Sequence, residues 1–105
     1  MEQERIQAFW GKCGLVKIKR GWKFPDGDVL IDADPQVDLN SLFRYAVPKA
    51  QEKGIAVLLC DSRSKLPFQC ELYNGYATEN GERLFKTAED NDPAEALLLA
   101  LDQVL

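Results

Sequence analysis

Apolar residues recur along this chain with two periods, and the change of period marks the elements. Ile6, Phe9, Trp10 and Cys13 fall at i, i+3, i+4 and i+7, the stripe of an amphipathic helix over residues 2–12. Glu2 and Glu4 suit its N-terminal dipole end, and Gly11 and Gly14 end it. The strongest stripe follows Asp38, a good N-cap: Leu39, Leu42, Phe43, Ala46, Val47 and Ala50. Gly54 fits the position after this helix, with Lys53 in its last turn. Pro48 lies inside it, about 180° from Leu39 at 100° per residue. A proline on the outer side removes one N–H and kinks the helix, so residues 38–53 are expected to stay helical through it.

The period then falls to two. "IAVLLC" (55–60) is apolar throughout, as an interior strand would be. "DSRSK" (61–65) reads as a polar turn. "PFQCELY" (67–73) alternates, with Phe68, Cys70 and Leu72 on one face and Gln69, Glu71 and Tyr73 on the other. Asn74-Gly75 and Asn80-Gly81 are turn signals, and "ERLFKTA" (82–88) is a third strand with Phe85 and Leu84 on opposite faces. The chain closes on a helix with Asp92 as N-cap, Pro93 at the first position and Glu95 completing a D-x-x-E capping box. Ala94, Leu97, Leu98, Leu101, Val104 and Leu105 form its core face. Leu99, about 140° from Ala94, is a surplus leucine between Glu95 and Gln103.

Between the first two helices charge is laid out unevenly. Residues 12–23, "KCGLVKIKRGWK", hold five Lys/Arg and no acid; residues 26–38, "DGDVLIDADPQVD", hold five Asp and no base. "LVKIKRGWKF" and "DVLID" read as the two strands of one hairpin around Pro25-Asp26-Gly27. Cross-strand charge pairs then account for the asymmetry. The competing reading is a partner site on Lys17, Lys19, Arg20, Trp22 and Lys23. Tyr45, on the outer side of the second helix, and Leu99 complete the candidate partner surface, and together they raise the prospect of a homodimer.

From residue 38 the order is helix, three strands, helix. The expected fold is a single α+β domain over residues 1–105. It is a two-layer unit in which an antiparallel sheet of at least three strands carries the helices, with the first helix and hairpin added to an edge or to the other face. The order αβββα is also that of a double-stranded-RNA-binding domain. Such domains place lysines at the start of the last helix, whereas "AEDNDPAE" (88–95) has four acids and no base. The segments "GWKFPDG", "VDLNSLFRYAVPKAQEKG" and "DPAEALLLALDQVL" resemble the small phage and bacterial proteins, cyanobacterial ones included, of the phage "ABA sandwich" kind. That resemblance covers most of residues 20–105. It implies a phage-related α+β fold and assigns an activity to no residue.

The chemistry is restrictive. There is no histidine, the usual neutral-pH acid–base residue. The carboxylates of Asp32, Asp34 and Asp38, and of Glu89, Asp90 and Asp92, each have a local reading as turn former or cap. Asp26-Gly27-Asp28 lacks the later glutamate of a calcium loop, and Ser62, Ser64 and Lys65 form no S-x-x-K motif. No Gly-rich phosphate loop is present. Cys13, Cys60 and Cys70 form no CxxC pair, so three reduced thiols without zinc are expected. The expectation is a non-enzymatic protein-interaction module without catalytic, cofactor-binding or metal-binding residues, its protein partner unidentified. The alternative is a weak nucleic-acid binder using residues 12–23, which the net charge of −4 opposes. No apolar run approaches the roughly 20 residues of a membrane span. "MEQERIQAFW" lacks the basic-then-apolar pattern of a signal peptide, so a cytoplasmic location is expected.

Overall fold

The computed structural model describes residues 2–61, 66–78 and 81–105, and for 74–78 and 81–85 its backbone only. In chain order its elements are α1 (Gln3–Lys12), β1 (Val16–Ile18), β2 (Gly21–Lys23), β3 (Val29–Ile31), α2 (Leu39–Ser41), a π turn (Leu42–Ala46) and α3 (Val47–Glu52). They continue with β4 (Ile55–Asp61), β5 (Phe68–Thr78), β6 (Gly81–Asp90) and α4 (Pro93–Asp102). The strands form two antiparallel three-stranded sheets, β1-β2-β3 and β4-β5-β6. The class is α+β, as the periods predict.

The helix starts and stops follow their sequence signals. Asp38 accepts from the Ser41 N–H at 2.7 Å, and Asp92 from the Ala94 N–H at 2.8 Å. The Asp92 N–H, however, donates to Asp90 at 3.0 Å, the place the capping box gives to Glu95. At the end of α1, Gly14 takes φ 92, its N–H donates to Gly11 C=O, and the Leu15 N–H donates to Trp10 C=O. This paired closure leaves Leu15 and Trp10 both buried beneath it.

The middle helix runs without a break through Pro48, as the stripe requires. It does so by widening one turn. The Val47 N–H donates to Leu42 C=O, an i→i−5 bond, immediately before the proline that has no N–H to give. The extra residue in that turn shifts the helix phase. Leu42, Ala46, Val47 and Ala50 remain buried, but Phe43 swings out to 48% exposure, contrary to its place in the stripe. Tyr45, expected on the outer side, turns in against the core and stacks on Phe24 with ring centroids 4.8 Å apart.

The helices α3 and α4 pack on one face of β4-β5-β6, and α4 also touches α2 and the π turn. The helix α4 is buried nearly all round: Ala94, Ala96, Leu97, Leu98, Ala100 and Leu101 have at most 6% exposure. Leu99 is half-buried rather than free, and Val104 and Leu105 are half-buried rather than fully enclosed. At its C-terminal end Asp102 accepts Arg5 Nε at 2.8 Å and Lys12 Nζ at 3.3 Å, tying α1 down. Phe9, Trp10 and Cys13 of α1 join the same core cluster as Cys70 and Leu72 of β5.

The chain corrects the strand reading in two places. "LVKIKRGWKF" is not one strand but two, β1 and β2, reversed at Lys19-Arg20, so the hairpin becomes a separate three-stranded sheet. Gly21 stands at the start of β2. Its φ is 154, and a Cβ there would lie 1.7 Å from the Leu30 carbonyl oxygen, a close approach open to glycine alone. Asn74-Gly75 is not a turn either. The strand β5 passes through it to Thr78 with register shifts at Leu72/Tyr73 and Asn74/Thr78, so the signal was that of a bulge. Residues 62–65 and Asn80, and the side chains of Leu84 and Phe85, lie outside the described residues.

Candidate functional surface

The short sheet has two unlike faces, set by period-two alternation. Cross-strand register places Lys17, Trp22 and Leu30 in one row. Trp22 is 3% exposed and anchors this face to the core. Its indole N–H donates to Asp34 at 2.9 Å. The Lys17 ammonium lies 5.0 Å above the Trp22 ring and 3.6 Å from the same carboxylate, to which Gln3 also donates at 2.9 Å. The indole N–H, ahead of Lys17, holds the Asp34 carboxyl below the ordinary value of 3.8.

Arg20 pairs with Asp32 at 2.8 Å, and Asp32 itself sits in the left-handed region at φ 56 with its N–H donating to Arg20 C=O. At the other end Asp26 gathers the Asp28 N–H, the Tyr45 hydroxyl and Arg44. The Asp28 N–H is the chief reason its carboxyl also lies below 3.8. The acid-rich segment thus pairs with two cations of the basic one, Lys17 and Arg20, through residues after β3, while Asp26 and Asp28 take Arg44 of the π turn.

The opposite face is exposed at Val16, Lys23, Val29 and Ile31, with Gly21 buried between. Its rows are Val16–Lys23–Val29 and Ile18–Gly21–Ile31. Val16 is 58% exposed, Val29 50% and Ile31 53%. Ile18 is half-buried, and Gly21 offers no side chain to cover its neighbours. Lys23 is the one charge in these two rows.

Of the seven residues singled out from the sequence, five therefore share this sheet but not a face. Lys17 and Trp22 lie on the inner face, Lys23 on the outer, and Lys19 and Arg20 at the β1–β2 turn. Lys17, Lys19 and Arg20 with Asp32, Ala33 and Asp34 line a cleft of about 280 Å³, whose cations largely face their own carboxylates. Tyr45 is engaged by Phe24 and Asp26, and Leu99 is half-buried on α4. Val16, Ile18, Val29 and Ile31 were missed. "VKI" alternates and carries a signal for Val16 and Ile18, whereas "VLI" is apolar throughout and does not say which of its residues face out.

The open face of β4-β5-β6 carries a polar cluster. Glu71 accepts from Gln69 Nε2 at 3.2 Å, from the Tyr73 hydroxyl, and from Cys60 Sγ at 3.8 Å. Burial, then the Glu71 charge, pushes the Cys60 thiol above its ordinary value. Cys13 and Cys70 are buried, and desolvation pushes each to about 12. A cysteine nucleophile needs the opposite shift. Among the described residues no helix is long and apolar enough to cross a membrane. Comparison with protein-family models, with curated proteins and with solved structures finds no match for this chain.

Proposed function

We propose that the chain is a non-enzymatic protein-interaction module whose contact face is the outer side of β1-β2-β3. One observation carries this reading. Three large β-branched residues on a single sheet face, Val16, Val29 and Ile31, each keep at least half their surface in water. Singly exposed apolar residues are ordinary, but several on one face, here set around Lys23, support a docking site. The partner that fits is apolar, with an acidic group opposite Lys23. Nucleic acid fits less well, because Lys17 and Arg20 already face Asp34 and Asp32.

The test is affinity capture from the native host with the natural chain beside a Val29→Lys, Ile31→Lys variant. Both positions are exposed, so circular dichroism should find the variant folded. A partner held by the natural chain and lost by the variant supports the reading. A partner held equally by both, or no partner at all, overturns it.

A further inference from the structure

We infer that the outer edge of β4 pairs with β4 of a second copy of this chain, antiparallel about a two-fold axis at Leu58. The inference uses a different surface from the module face and stands independently of it. In the order β4-β5-β6, β4 bonds β5 along its whole length, Ile55 to Asp61. Among the described residues no backbone group bonds its other edge. Exposure on the core face agrees: Cys70 and Leu72 of the central strand are fully buried, whereas Leu59 and Val57, directly opposite them on β4, keep partial exposure.

An open edge presents a row of unpaired N–H and C=O groups, and proteins commonly guard such edges with charge, proline, bulges or shortness. Apart from Asp61 at its end, β4 has none of these guards. Ile55–Cys60 holds no charge, no proline and no glycine, and its pairing with β5 has no register shift. The other edges differ. β1 and β3 are three residues long. On β6, the Thr87 carbonyl accepts Gln103 Nε2 of α4 at 3.3 Å.

The edge fits its own copy. Antiparallel pairing of identical strands about a two-fold uses the same groups on both sides, so every bond made by one copy is returned by the other. With the axis at Leu58, Leu58 meets Leu58, Ala56 meets Cys60 and Val57 meets Leu59. Asp61 then lies opposite Ile55, and the two Asp61 carboxylates are about 20 Å apart, a strand length away. Two chains of net charge −4 thereby meet along an uncharged stretch. Seven residues of edge bury less than the roughly 800 Å² per partner of a standard interface, so the pairing is a concentration-dependent equilibrium.

Sedimentation of the full chain from micromolar to near-millimolar concentration tests this, with Leu58→Lys, Leu58→Glu and the Val29→Lys, Ile31→Lys variant alongside. The natural chain should move from monomer towards dimer. Leu58→Lys and Leu58→Glu should each stay monomeric with unchanged circular dichroism, and an equimolar mixture of the two should dimerise again. A natural chain that is monomeric throughout overturns the inference, as does a dimer that survives Leu58→Lys. A dimer lost only in the Val29→Lys, Ile31→Lys variant also overturns it and moves self-association to the module face.

Discussion

The indole N–H of Trp22 donates to the carboxylate of Asp34 at 2.9 Å, across the junction between the short sheet and the segment that follows it. That bond gives one of the five aspartates of residues 26–38 a structural task. The bond spares the buried Trp22 N–H the cost of lying unpaired, as the Trp10 N–H does among the described residues, and its acceptor also faces Lys17. The charge asymmetry of residues 12–38 is therefore in part an internal fastening.

Asp34→Ala should lower the thermal midpoint and alter the intrinsic tryptophan fluorescence, since it strips acceptors from Trp22, Lys17 and Gln3 together. Stability should also depend on pH in a set direction. Asp34 and Asp26 both ionise below 3.8 in the folded chain, so the unfolded chain binds more protons near that pH. Their contribution is complete above the ordinary carboxylate range and is lost as pH falls through the lowered folded values. Urea denaturation at a series of pH values should find stability dropping below about pH 4, less steeply in Asp34→Ala. Equal acid sensitivity in the two proteins would refute this.

Leu97, Leu98 and Leu101 have no exposure, and each cut to alanine should cost about 2–5 kcal/mol in denaturant unfolding. Leu99 retains exposure, so Leu99→Ala should cost about 1 kcal/mol, below any of the three. A Leu99→Ala loss as large as the others would place it in the core.

Cys60 is half-buried, while Cys13 and Cys70 are enclosed. In the native chain at mildly alkaline pH, a thiol reagent should modify one cysteine first and reach the remaining two only on unfolding. Peptide mapping should identify the early site as Cys60. Early labelling of Cys13 or Cys70 would contradict the packing.

What the sequence made legible was whatever depends on neighbours in the chain. The stripes of α1 and α4, the caps at Asp38 and Asp92, and the alternation of Cys70 and Leu72 were all readable, because each rests on a local period or a single side chain. What escaped depends on phase and on close approach. The π turn adds one residue to the helix count, exchanging Phe43 and Tyr45, and a uniform 100° step has no means to register it. Gly21 is required by a carbonyl nine residues away, on the strand that pairs with it, and a local period carries no trace of that approach. The exposed face of Val16, Val29 and Ile31 was readable only once the reversal at Lys19-Arg20 was known.

The π turn is held by its side chains as well as by Pro48. Tyr45 is fixed by Phe24 and by the Asp26 carboxylate, to which its hydroxyl donates at 3.0 Å. Pro48→Ala restores an N–H but leaves those contacts, so the helix should keep its phase and helical circular dichroism should stay the same. Adding Tyr45→Ala releases the phase. The double variant should gain helical signal relative to Tyr45→Ala alone, as the widened turn relaxes to regular spacing. No difference between the two would mean that the backbone elsewhere sets the turn.

The final prediction concerns the basic segment. Of Lys17, Lys19, Arg20 and Lys23, two face carboxylates, Lys17 at 3.6 Å from Asp34 and Arg20 at 2.8 Å from Asp32. Binding to duplex nucleic acid releases about 0.9 counterion per phosphate neutralised. With Lys19 and Lys23 the two of these four that pair with no carboxylate among the described residues, binding through this segment should show a log affinity against log salt slope no steeper than about −2. Binding should vanish near physiological salt. Asp32→Asn, Asp34→Asn frees both paired cations while raising the net charge, so its slope should steepen towards about −4 and its affinity should rise. Fluorescence anisotropy of a labelled duplex across a salt series measures all of this. Saturable binding by the natural chain at physiological salt, or a double variant no better than it, would mean that these aspartates do not hold the cations as their geometry requires.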